Sequence, residues 1–108
     1  MKTTIAAPIA PKSIVILGNR WFDRVNGNTY NTAEIIVDGV TVHKTPRQYG
    51  YGGHYLTLAE EWLDSSGIVP ARPKHANGNH TPGWQCWRDD LGIAYTYRAN
   101  DVQRKRDL

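Results

Sequence analysis

Apolar and polar positions alternate over the first half of the chain and take a helical spacing in its middle. SIVIL at 13–17 is short and β-branched, and the run continues through RWFD at 20–23, which predicts one long buried strand. Asn26-Gly27 follows, a dipeptide whose residues both tolerate the positive φ of a type I′ hairpin turn. TYNTAEIIVD at 29–38 predicts a second strand ending at another such dipeptide, Asp38-Gly39. VTVHKT at 40–45 predicts a third, stopped by Pro46, which has no N–H for a ladder. Together they read as a three-stranded meander.

RQYGYGG at 47–53 reads as a glycine-rich connection. In HYLTLAEEWLDSSG at 54–67, Tyr55, Leu58, Ala59, Trp62 and Leu63 fall at helical spacing, Gly67 terminates the helix, and Glu60 and Glu61 are expected to face solvent. Residues 68–83 hold three prolines and two glycines and predict a long structureless loop, a kind of segment that is usually functional or mobile. WQCWRD and GIAYTYR predict a second hairpin turning at Asp90-Leu91-Gly92, and the tail predicts a short helical turn with Asp101 in it. The expected fold class is α+β: an antiparallel sheet of four to five strands, a meander plus a C-terminal hairpin, with one helix packed on one face. Residues 1–12 read as a flexible arm and 13–108 as a single domain.

Two-residue loops at both dipeptides set a register. Val37 then pairs with Val40, Ile35 with Val42, and Glu34 with His43; Asp23 pairs with Tyr30 and Trp21 with Thr32. Side chains alternate faces along a strand. Ile16, Phe22, Ala33, Ile35, Val37, Val40 and Val42 share a core face, interrupted by Gly18 and Arg20. Asn19, Trp21, Asp23, Tyr30, Thr32, Glu34, Thr41 and His43 share the other, polar and aromatic face.

Composition narrows the picture. A chain of 108 residues holds one domain, and 40% hydrophobic with 21% charged residues excludes wholesale disorder. The net charge of +3 is weaker than a DNA-coating protein would carry, yet residues 98–108 supply four positive and two negative groups, or +2 of it. A single cysteine, Cys86, excludes an internal disulfide framework and suits a reducing compartment. The opening apolar stretch is broken by Pro8 and Pro11, unlike a signal peptide, and no run is long enough to span a membrane.

Four groups of residues bear on chemistry. Trp21 and Tyr30 on an open sheet face would stack bases, with Arg20, Arg24, Arg104, Lys105 and Arg106 meeting phosphates; the plainer reading is that the aromatics only cover that face. Arg20 fits least, because the same register turns it to the core face. Asp23, Glu34 and His43 would form an oriented base or a metal site; an exposed cross-strand ion pair explains Glu34 and His43 equally. His75, His80 and Cys86, with His54 or His43 as a fourth ligand, match zinc's preferences in kind but not in spacing. YGYGGHY at 49–55, with Tyr51 and His54, would expose backbone N–H groups to an anion at the helix start, but it lacks the P-loop ending.

RWFD (20–23), NGNTY (26–30), VDG (37–39), YGYGGHY (49–55) and RKRDL (104–108) together resemble small accessory proteins encoded by bacteriophages and related mobile elements. The resemblance implies a short protein of the host bacterial cytoplasm that binds host factors, defence components or nucleic acid, and it brings no catalytic residues. The expected function is therefore non-enzymatic binding of nucleic acid or a nucleotide-like ligand, without a cofactor, through the aromatic-polar face and basic tail. The alternatives are an inhibitor of a host defence or regulatory protein complex, of the anti-CRISPR kind, and a small metal-dependent hydrolase or nuclease. A meander leaves strand edges open, so a homodimer is also compatible.

Overall fold

The computed structural model describes residues 11–108. The expected arm at 1–12 falls almost wholly outside these described residues. Strand β1 spans Ser13–Asp23, β2 Asn28–Val37, β3 Val40–Lys44, β4 Gln48–Tyr49 and β5 Ala94–Val102; helix α1 spans His54–Ser66. The sheet order is β3-β2-β1-β5, with the short β4 also pairing with β2.

The class is α+β, but the sheet is mixed. β5 runs parallel to β1, from Ser13 opposite Ala94 to Trp21 opposite Val102. The expected C-terminal hairpin does not form, because residues 84–89 are not a strand. Trp84–Asp90 coil into a single π-helical turn that leads into β5. The turn is drawn inward because Trp87 is 1% exposed and donates its indole N–H to the Pro70 carbonyl at 3.0 Å. Burying a whole indole outweighs the modest strand preference of those six residues.

The two hairpins differ in how far local sequence decided them. Asp38 (φ 50°) and Gly39 (φ 83°) form the two-residue turn as expected, and Val37 pairs with Val40. Asp38 Oδ1 also accepts from the Lys12 and Ser13 N–H groups at 2.8 and 2.9 Å, pinning the start of β1. The first loop has four residues, 24–27, rather than two. Asp23 pairs with Asn28 and Trp21 with Tyr30. Asp23 causes this, its carboxylate accepting the Val25 and Asn26 N–H groups at 3.0 and 3.3 Å and the Asn26 side chain at 2.8 Å. The slip of two leaves every face assignment on β1 and β2 intact.

β3 departs further. A bulge leaves Val42 unpaired, so His43 lies opposite Ile35 and Lys44 opposite Glu34. His43 thereby moves to the helix side of the sheet.

Ile14, Ile16, Ala33 and Ile35 are fully buried beneath Ala59 and Leu63 of α1. Each large aliphatic side chain removed from water in this way contributes about 1.5–3 kcal/mol. Gly18 lets the helix approach: a Cβ there would sit 2.3 Å from the Tyr55 ring. Glu60, expected in solvent, is 7% exposed, one turn from Leu63 on the helix flank that residues 68–83 cover. Its carboxylate accepts from Arg72 Nη1 at 2.9 Å, from the Gly83 N–H at 3.2 Å and from the Tyr95 hydroxyl. Asp64 grips the same guanidinium, 2.8 Å from Arg72 Nη2. Segment 68–83 is thus tied to the core by one buried ion-pair network. Desolvation would lower the Arg72 pKa, but the Asp64 and Glu60 carboxylates outweigh it and hold the guanidinium's pKa above its usual value.

Candidate nucleic-acid interface

Helix α1 covers one face of the sheet only. On the other, Trp21 and Tyr30 are directly paired across β1 and β2, with ring centroids 6.0 Å apart and planes 23° from parallel. Tyr49 is the β4 partner of Tyr30 and meets its ring edge-on at 6.0 Å. Tyr51, two residues on, follows at 5.2 Å, and its hydroxyl shares a 2.6 Å hydrogen bond with that of Tyr49. The Arg47 guanidinium lies 5.6 Å from the Tyr30 ring centre. Four aromatics therefore run in one row across three strands, and Tyr49 and Tyr51 are 50% and 57% exposed. The hydrogen bond that the Tyr49 hydroxyl donates to Tyr51 is the main reason it titrates above its ordinary value.

Further positive charge lies along the sheet from the row. Arg98, opposite Leu17 across the parallel ladder, shares this face and is exposed. The turn Lys105–Asp107 lies against β1, and Lys44 Nζ donates to the Leu108 backbone oxygen at 3.1 Å. Arg104, Lys105 and Arg106 are exposed along this segment, Arg104 forming a loose 3.5 Å pair with Asp107.

The remaining expected residues are distributed elsewhere. Arg20 lies on the helix side, its Nε 2.8 Å from Asp101 Oδ1 and its Nη1 3.2 Å from the Gly52 carbonyl. Arg24 is exposed in the hairpin loop. His54 opens α1 and bonds Gln48 Oε1 at 3.0 Å.

Asp23, Glu34 and His43 are not brought together. Asp23 is engaged in its own turn, where the Asn26 side chain chiefly holds its carboxyl below the usual range. Glu34 accepts from the Thr41 hydroxyl at 2.6 Å on the open face, whereas His43 stacks on Trp62 on the helix face. His75 bonds the Thr81 hydroxyl at 3.0 Å, His80 is exposed, and Cys86 is buried, its thiol pushed up by desolvation. Among the described residues no three His, Cys, Asp or Glu side chains are grouped closely enough to hold a metal ion. No helix among them is long and apolar enough to cross a membrane.

Arg47 and Tyr49 are the residues that reading the sequence missed. The signal was there: Arg47, Tyr49 and Tyr51 alternate with Gln48 and Gly50, the period of an extended strand.

No family model matches this chain, no curated protein is significantly similar to it, and no solved structure matches it significantly.

Proposed function

We propose that this protein is a non-enzymatic binder of single-stranded nucleic acid, using the sheet face opposite α1. The observation that carries the reading is the row Trp21–Tyr30–Tyr49–Tyr51 with Arg47 beside it. Successive bases stack on such a row whatever their identity, because every base has a π-face, while guanidiniums and lysines meet the backbone. Arg98, Lys105 and Arg106 supply that charge at the margin of the same face. An accessory role in an infected bacterial cell is in keeping with the resemblance to phage-encoded proteins.

The test is tryptophan fluorescence during titration with a short single-stranded oligonucleotide at low and high salt, repeated on Trp21→Ala. Salt-sensitive quenching that is largely lost in the variant is expected, since phosphate contacts release counterions. No quenching at low salt would overturn the reading.

A second reading, an inhibitory interaction with a host protein, draws on the first hairpin, where Phe22 is 54% and Val25 92% exposed. Aromatic and apolar side chains at such a tip serve as interface anchors. Binding of that kind would persist at high salt and be lost in Val25→Asp.

A further inference from the structure

Near the first hairpin the helix side of β1 is open to solvent, and Phe22 on that side is 54% exposed. Opposite the aromatic row lies a cleft of about 410 Å³ lined by Arg20, Phe22, Arg24, Thr29, Gly52 and Asp101, among others. Its size falls within the roughly 300–1,000 Å³ of small-ligand sites.

We propose that this cleft binds the phosphate monoester of a nucleotide. Arg20 is held in place by Asp101 and the Gly52 carbonyl through Nε and Nη1, which leaves further donors of its five on the same planar fork. Arg24 has no ion-pair partner among the described residues. Two guanidiniums match a phosphate monoester, which carries about −1.5 to −2 charges near neutral pH. Asp101 in the same wall works against a longer, more highly charged polyphosphate. The Gly52 N–H donates to no group among the described residues, and the space a Cβ would fill there is open. Phe22, half exposed along the same wall, offers a ring for a base.

The phosphate would come from a free mononucleotide or from the end of a strand lying on the aromatic row, on the other side of the same strands; only that second source rests on the function proposed above. The experiment follows amide shifts of ¹⁵N-labelled protein at Gly52 and Thr29. Adenosine monophosphate is compared with adenosine, and an oligonucleotide bearing a terminal phosphate with the same oligonucleotide lacking it. Phosphate-dependent shifts in the cleft are expected, weakened at least about tenfold in Arg24→Ala with an unchanged melting temperature. Shifts with adenosine monophosphate assign the free nucleotide, and shifts with the phosphorylated strand alone assign the strand end. No cleft shift with either phosphate, or equal shifts without phosphate, would overturn the proposal. Quenching at Trp21 by the unphosphorylated oligonucleotide reads the sheet face separately, so either idea can fail without the other.

Discussion

His43 lies flat on Trp62, with ring centroids 4.5 Å apart and planes 3° from parallel. The imidazole therefore clamps the meander's third strand to α1 instead of facing Glu34. His43→Ala is expected to cost about 0.5–1.5 kcal/mol of stability, the worth of an aromatic pair, and to leave oligonucleotide affinity unchanged. Urea denaturation and anisotropy titrations check the two halves. Loss of binding without loss of stability would return His43 to the functional site.

Tyr49 and Arg47 separate stacking from charge. Tyr49→Ala should weaken oligonucleotide binding roughly 5- to 150-fold at constant salt, because one stacking platform is removed. Arg47→Ala should flatten the plot of log affinity against log salt by about 0.7 if its guanidinium meets one phosphate. Titrations at four salt concentrations give both quantities.

Arg72 is the cation on which the buried network depends, its side chain 8% exposed between Glu60 and Asp64. Arg72→Met should destabilise by roughly 3–5 kcal/mol, since the Glu60 carboxylate is left buried without its counter-charge. Adding Glu60→Gln should restore part of that loss, because an amide is cheaper to bury than an unpaired carboxylate. Chemical denaturation of the single and double variants measures the coupling.

Tyr95 gives the fold an alkaline limit. Burial first, and the Glu60 carboxylate accepting its hydrogen bond second, raise the Tyr95 phenol well above its ordinary value. The unfolded chain gives up that proton near pH 10, about the reference value for tyrosine. The stabilisation is therefore complete below about pH 10 and falls away as pH rises beyond it. Tyr95→Phe should lose about 1–2 kcal/mol at neutral pH, through the missing donor, and show a shallower decline between about pH 9.5 and 11. Urea midpoints across that range decide it.

Gly18→Ala places a methyl 2.3 Å from the Tyr55 ring. Backbone shift or an off-rotamer ring should cost about 1–3 kcal/mol in thermal or chemical denaturation. Gly39, in an exposed turn, should not tolerate alanine freely either, but there the cause is its φ of 83°.

Local chemistry by itself determined much of this molecule. The Asp38-Gly39 turn, the long strands on either side of the first hairpin, and α1 with Gly67 closing it in a left-handed conformation follow from residues only a few positions apart. Alternation along β1 and β2 put Trp21 and Tyr30 on one face, and that survived a two-residue error in register because the side-chain period is two.

Tertiary structure decided the rest, for reasons no short window contains. The alternation of Arg47, Tyr49 and Tyr51 shows an extended segment but not its neighbour, and Tyr49 joined the row because the two-residue β4 pairs with the edge β2 offers. The Trp84–Asp90 segment coiled because Trp87 found the Pro70 carbonyl 17 positions away. Glu60 left solvent because Arg72 and Tyr95 converge on it. Arg20 meets Asp101 across 81 positions only because β5 returns parallel to β1, and the cleft they line arises with that pairing. Pairings of that range are set by burial and charge compensation in three dimensions, which a hydropathy pattern does not record.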